Sequence, residues 1–155
     1  MHSYSQQADK TQEVISVDLF DAYLRSDNKP DEWSDLDAQR AIDRYQKFFQ
    51  LAARYKDRPH APTRDIDVIW HLHMLSPRAY YRDCINQFGE IFDHDGGFGK
   101  GNGELEQLKS VFNSTAQLWQ ETYGEPYVEA ERSDQEVTKC WHDCQGRCWH
   151  ACASN

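Results

Sequence analysis

A long amphipathic pattern between Ser34 and Tyr55 constrains the fold of this chain more than any other feature of its sequence. The apolar residues of this stretch recur every three or four positions, which places them on one face of an α-helix. They are Ala38, Ala41, Ile42, Tyr45, Phe48, Phe49 and Ala52. The pattern therefore predicts a long helix with one buried face.

Four further helices are predicted from shorter apolar stripes and from residues that favour helix starts. We expect Ser16, Thr63 and Ser76 to cap the first, third and fourth helices, with Pro77 at the first position of the fourth. A loop with five glycines, from Asp93 to Gly103, precedes the last helix. Four of the predicted helices cover residues 16–25, 34–55, 63–74 and 104–123, and the fourth helix in chain order starts at Ser76-Pro77 and carries Ala79, Tyr80, Cys84 and Phe88. These elements predict an all-α fold, in a single compact domain of about five helices.

Composition divides the 155 residues into four segments, and the length suits one folded domain. Residues 1–13 are polar and are expected to form a disordered leader, while residues 14–127 hold the predicted helices. Residues 128–139 are charged and resemble a linker, and residues 140–155 form a tail rich in Cys and His. The sequence therefore predicts one helical domain with a chemically distinct C-terminal tail.

The formal net charge of -9 argues against several classes of partner. An acidic surface repels a phosphate backbone, and no run of Lys and Arg offsets this charge, so we expect no nucleic acid partner. No apolar stretch approaches the length that spans a membrane, and residues 1–13 lack the hydrophobic region of a signal peptide. We therefore expect a cytoplasmic protein that does not bind membranes and whose cysteines are reduced.

Two histidines and two carboxylates fall within residues 65–74. Asp67 and His71 lie four positions apart and share one helix face, whereas His73 is rotated by about 200° from His71. The Asp67–His71 pair could supply two ligands to one metal ion, or it could form a structural hydrogen bond beside a core Trp70. We expect His73 to be a half-buried side chain rather than a ligand.

A metal site on this helix needs a third ligand from elsewhere in the chain. His94 is the best candidate because it lies between two aspartates in the Gly-rich loop, and His60 and Glu104 are second choices. Two histidines and one carboxylate suit Fe(II) or another divalent ion, and the same set on zinc could activate a water molecule. Cys84 could act as a nucleophile with His71 or His94 as its base, or it could belong to the core.

The Asp/His stretch and the segments after it resemble the glycine-rich domain-containing protein family. The matching pieces are Pro62 to Leu75 with its Asp-x-x-Trp-His-x-His core, Tyr81-Arg82-Asp83-Cys84, Phe88-Gly89 and His94-Asp95. The resemblance extends over about residues 35–127. It implies a helical domain and marks six positions of interest, but it implies no particular reaction. These positions are Asp67, Trp70, His71, His73, Cys84 and His94.

The tail carries four equally spaced cysteines within two Cys-Trp-His-x-Cys units. They are Cys140, Cys144, Cys148 and Cys152. Four thiolates, with or without the imidazoles of His142 and His150, satisfy a tetrahedral zinc site, and a thiol-rich stripe suits Cu(I). The short equal gaps differ from those of common zinc fingers and favour metal loading or thiol chemistry. Disulfides in an exported chain, a redox-reactive tail and modification by a partner enzyme are the alternatives.

Three functions fit these patterns. The first is a metal-binding protein whose tail holds Cu(I) or zinc, with the helical domain as a scaffold or docking module. The second is a metalloenzyme centred on Asp67, His71 and His94, with zinc or iron as its cofactor. The third is a carrier or recognition domain that presents the tail to a modifying enzyme. The sequence favours the first of these and leaves catalytic turnover open.

Overall fold

Five helices form the regular structure of residues 13–128, the part of the chain that the computed structural model describes. They are α1 (Leu19–Leu24), α2 (Asp35–Arg54), α3 (Arg64–Met74), α4 (Pro77–Phe88) and α5 (Glu104–Tyr123). Residues 13–128 contain no β-strand, so the predicted all-α fold is confirmed for this part. Each helix found there is too short or too polar to cross a lipid bilayer. The predicted leader up to residue 12, and the linker and tail from residue 129 onward, fall outside the described residues.

Local capping chemistry explains where α2 begins. The Ser34 hydroxyl accepts a hydrogen bond from the Asp37 backbone N–H at 3.2 Å, and the Asp37 carboxylate accepts one from the Ser34 backbone N–H at 2.9 Å. This reciprocal pair is a capping box. Because the cap and the apolar stripe are both local features, the helix predicted over 34–55 is found at nearly the same residues.

The first helix is shorter than predicted. It begins at Leu19 and is capped by Asp18, whose side chain accepts from the Asp21 backbone N–H at 2.9 Å. Ser16 lies ahead of the helix, and its backbone N–H donates to Asp83 Oδ2 at 2.8 Å. The predicted cap at Ser16 was wrong because this long-range hydrogen bond ties that residue to α4 instead.

α2 lies at the centre of the core. Its aromatic residues Tyr45, Phe48 and Phe49 are fully buried, and the Phe49 ring meets the Phe88 ring of α4 edge to face with centroids 5.0 Å apart. Such pairs add to the stabilisation that burial of their apolar area already provides. The apolar stripe that predicted α2 is therefore the surface on which α3 and α4 are assembled.

Arg44 on α2 connects the start of α3 to the end of the described chain. Its Nε donates to Asp65 Oδ2 at 2.6 Å, and its terminal nitrogen donates to Thr63 Oγ1 at 3.2 Å and to the Tyr127 carbonyl at 2.8 Å. The guanidinium also lies over the Trp119 ring of α5, 5.2 Å from its centroid. Thr63 occupies the predicted cap position of α3, but its side chain makes no capping bond and contributes to this network instead.

α4 begins at the predicted residues. Ser76 and Pro77 occupy the cap and the first helical position, although the Ser76 side chain makes no capping hydrogen bond. Gly89 ends the helix with a φ of 77°, a left-handed conformation that glycine adopts without steric cost. This turn directs the following residues back toward α3, where the candidate site lies.

Candidate metal centre

Helix α3 places Asp67 and His71 together at the edge of the core. They lie one turn apart, with Asp67 Oδ1 3.5 Å from His71 Nε2. Asp67 is only 5% exposed, whereas the His71 side chain is 21% exposed. Removing a carboxylate from water is costly unless a partner compensates it, so the surroundings of Asp67 decide its role.

An aromatic hydrogen-bonded chain brings the segment after α4 back to α3. The Trp70 indole N–H donates to the Tyr80 hydroxyl at 2.9 Å, and that hydroxyl donates to the Phe92 backbone carbonyl. The Phe92 ring stacks on Trp70 with centroids 4.5 Å apart. Two residues later, the His94 ring meets Trp70 at a centroid distance of 4.4 Å. The position of His94 is therefore fixed by the residues that hold Phe92.

Three potential ligand atoms converge at this point. His94 Nε2 lies 2.6 Å from Asp67 Oδ1 and 3.2 Å from His71 Nε2. With the Asp67–His71 distance of 3.5 Å, they form a triangle whose corners lie about 1.8 Å from a common centre. Zinc bonds to imidazole and carboxylate measure about 2.0–2.2 Å, so Asp67, His71 and His94 would be close enough together to hold one such ion.

The distances within this cluster suit either a structural hydrogen bond or a shared cation. A proton on His94 Nε2 can be donated to Asp67 Oδ1, which lies 2.6 Å away. A cation at the centre interacts with both imidazole nitrogens and with the Asp67 carboxylate at the same time. Within residues 13–128, no other group of three His, Cys, Asp or Glu side chains comes together in this way.

His73 lies in the core, away from this cluster. It is 0% exposed, so the predicted half-buried position was wrong, although its separation from His71 follows the predicted helix geometry. Its Nε2–H donates to Asp83 Oδ2 at 2.9 Å, and its Nδ1 accepts from the Tyr45 hydroxyl at 2.7 Å. Burial lowers the pKa of His73, against the opposing effect of Asp83. His73 therefore links α2, α3 and α4 as a neutral imidazole.

Cys84 and Glu104 also lie apart from the cluster of Asp67, His71 and His94. Cys84 is fully buried, and burial raises the pKa of its thiol, which disfavours a role as a nucleophile. The Glu104 carboxylate accepts hydrogen bonds from the backbone N–H groups of Gly101 at 2.8 Å and Gly99 at 3.0 Å. The bonds from these two N–H groups lower the pKa of Glu104. Glu104 therefore organises the start of α5.

A cavity of about 410 Å³ adjoins the cluster. Asp67 and His94 contribute to its wall, and so does His60, whose Nε2–H donates to the Tyr55 carbonyl at 2.9 Å. Most of the remaining wall consists of apolar side chains from the segment before α3, from α3, from the segment after α4 and from α5. His60, a second-choice ligand in the sequence analysis, thus borders the same space without joining the three converging atoms.

Sequence reasoning missed the residues that position His94. Tyr80 and Phe92 carry the hydrogen bond and the stacking contact that fix it, yet each fits an ordinary apolar core pattern. Arg44, which anchors α3, lies on the polar side of α2 and carried no signal. Asp83 did have a sequence signal, since it lies within the Tyr-x-x-Asp-Cys piece of the family resemblance.

The predicted ligands of the tail lie outside residues 13–128, and their metal binding remains a prediction. They are Cys140, His142, Cys144, Cys148, His150 and Cys152.

The fold and the cluster define a small all-helical domain with one carboxylate and two imidazoles gathered at the edge of its core. The model of the glycine-rich domain-containing protein-like family matches residues 2–83, which is more than half of the chain. The chain therefore belongs to that family. The match includes Asp67, Trp70 and His71 and ends before His94. It begins earlier than the resemblance over 35–127 indicated.

Two curated relatives are similar to the chain over 101 residues. Glycine-rich domain-containing protein 1 of Arabidopsis thaliana is 34% identical to the chain, and the aligned region covers 63% of this chain and 12% of the relative. Glycine-rich domain-containing protein 2 of the same plant is 32% identical, with 63% and 13% covered. The aligned region thus spans about an eighth of the length of these relatives. No solved structure matches the chain significantly.

Proposed function

We propose that the helical domain binds a divalent transition metal ion through Asp67, His71 and His94. The observation that carries the proposal is the convergence of the three ligand atoms, all within 4.8 Å of one another. Two imidazoles and one carboxylate form a donor set that zinc, iron and cobalt accept, and they leave coordination positions open. Such a centre can polarise a bound oxygen or activate water, so a metalloenzyme is the form of this function that the ligand set favours.

A variant of the full-length chain separates this site from the tail. The tail-substituted chain carries Cys140→Ser, Cys144→Ser, Cys148→Ser, Cys152→Ser, His142→Asn and His150→Asn. Titration of this chain with zinc in a calorimeter should show one equivalent bound. His94→Ala and Asp67→Asn should each weaken binding by tenfold or more, because each removes a ligand.

The matched control is His60→Ala, which alters an imidazole on the wall of the neighbouring cavity but removes none of the three converging atoms. This variant should bind zinc as the tail-substituted chain does. Circular dichroism establishes that each variant is folded before titration. A folded tail-substituted chain that binds no zinc, iron or cobalt would refute the proposal.

A second proposal concerns the tail and is supported by the spacing of its four cysteines. In a reducing cytoplasm, the location expected from the sequence, these thiols would be available to hold zinc or Cu(I). The unsubstituted chain should then bind at least one more equivalent of metal than the tail-substituted chain does. Equal metal contents in the two chains would exclude a metal-binding tail.

A further inference from the structure

The cavity beside the cluster has the size and the lining of a small-molecule site. Its volume of about 410 Å³ falls in the lower part of the range for such sites, roughly 300–1,000 Å³. It is lined by the segment before α3, by α3 itself, by the segment between α4 and α5, and by α5. A space of this size accepts one or two rings.

The cavity wall is rich in aromatic side chains. Trp70 and Phe112 are buried, and Phe92 stacks on Trp70, so much of this surface is firmly held. Edge-to-face and offset contacts make an aromatic wall especially favourable for an aromatic guest. The apolar side chains of the wall include Trp70, Phe92, Phe98, Leu108, Val111 and Phe112.

The cavity wall also carries polar side chains, and two of them belong to the ligand cluster. Asp67 and His94 belong to both the ligand cluster and the cavity wall, so an ion held by the cluster borders the cavity. Asp93 and Asp95 also contribute to the wall, and the chain as a whole carries a charge of -9. These carboxylates disfavour a strongly anionic guest and favour one whose head group is neutral or weakly acidic.

From these features we infer that the cavity binds a small aromatic molecule whose oxygen head group, a hydroxyl or a related weak acid, coordinates the metal ion. The inference rests on the proposed metal site and specifies the class of molecule that its open positions accept. The ring contacts the aromatic wall, and the oxygen replaces water on the ion. Binding therefore requires both the apolar cavity and the cluster.

Two probes with the same chelating group test the inference on the cobalt-loaded, tail-substituted chain. Benzohydroxamic acid carries a ring, whereas acetohydroxamic acid has only a methyl group. The change in the visible spectrum of cobalt reports the binding of each compound. Burial of the ring should make benzohydroxamic acid bind about tenfold or more tightly than acetohydroxamic acid.

A pair of substitutions on α5 locates the binding. Val111→Phe places a ring in the cavity and should remove most of the preference for benzohydroxamic acid, while cobalt content stays unchanged. Leu105→Phe is the matched control, because Leu105 lies on the same helix, is 41% exposed and is not part of the cavity wall. That control should keep the preference.

The outcomes separate the inference from the proposal beneath it. A chain that retains cobalt but binds the two probes equally overturns the aromatic ligand and leaves the metal site standing. If the Val111→Phe variant prefers benzohydroxamic acid as strongly as its parent does, the ring does not bind in this cavity. A folded chain that takes up no cobalt overturns both.

Discussion

His71 and His73 lie two residues apart on α3 and have different surroundings. The His71 side chain is 21% exposed and faces Asp67, whereas His73 is fully buried between Tyr45 and Asp83. A helix turns by about 200° over two residues, so it separates two imidazoles that are close in sequence. One histidine is thereby available for metal chemistry while the other stabilises the core.

Loss of the Tyr45 hydroxyl should destabilise the fold without affecting the metal site. Tyr45→Phe leaves His73 Nδ1 as a buried acceptor without this donor, which costs about 1–3 kcal/mol of unfolding free energy. Tyr81→Phe is the matched control because Tyr81 is 59% exposed. Urea unfolding measures both variants, and equal midpoints for the two would contradict the structural role of His73.

His60 should make stability depend on pH. Burial lowers its pKa, while the hydrogen bond to the Tyr55 carbonyl acts in the opposite direction. The folded chain therefore takes up its proton at lower pH than the unfolded chain, and stability falls as pH drops below about 6.5. The free energy of unfolding is measured at pH 7.5 and at pH 5.5, with metal removed by a chelator. It should fall less in His60→Gln than in the parent chain, and the difference between the two chains should not exceed about 1.4 kcal/mol per pH unit. Identical losses would show that His60 does not contribute.

Among the helices, those fixed by local signals were predictable and those fixed by distant contacts were not. α2 begins at its capping box and continues along its own apolar stripe, so its sequence predicts it closely. α1 begins later than predicted, because Ser16 is held by Asp83, which lies 67 positions away. No local pattern reports a hydrogen bond across that distance.

The candidate site likewise has a part that local sequence predicts and a part that distant contacts determine. The four-residue spacing of Asp67 and His71 predicts a shared helix face, and the structure brings them within 3.5 Å. His94 was the favoured third ligand, but only the chain from Trp70 through Tyr80 to Phe92 explains how it reaches them. The residue types could be read from the sequence, whereas the route of the backbone could not.

Arg44 should matter to the assembly of the helices more than its polar character suggests. Arg44→Met removes hydrogen bonds to Asp65, Thr63 and the Tyr127 carbonyl, and should cost about 2–4 kcal/mol of unfolding free energy. The matched control is Arg40→Met on the same helix, where the side chain is 68% exposed. Thermal unfolding followed by tryptophan fluorescence compares the two, and equal midpoints would contradict the role of Arg44.

On the scale of the whole molecule, the cluster of Asp67, His71 and His94 and the cavity share a wall at the edge of one core. The wall draws on residues far apart in sequence, from Pro59 to Phe112. The family match ends at residue 83, so His94 and most of the aromatic wall lie beyond it. The candidate site therefore depends on the fold as a whole rather than on the matched region alone.

Metal binding should be linked to the stability of the entire domain. An ion that binds only the folded state at a hundred times its Kd adds about 2.7 kcal/mol to the free energy of unfolding. The tail-substituted chain should therefore melt at a higher temperature when zinc is added, and its His94→Ala variant should show a clearly smaller shift. An equal shift in both chains would place the metal elsewhere.

The most direct test of the metal centre is anomalous diffraction from crystals of the zinc-loaded, tail-substituted chain. The account predicts one anomalous peak about 2.0–2.2 Å from Asp67 Oδ1, His71 Nε2 and His94 Nε2. A peak at any other position, or none between these three side chains in fully loaded crystals, would contradict it.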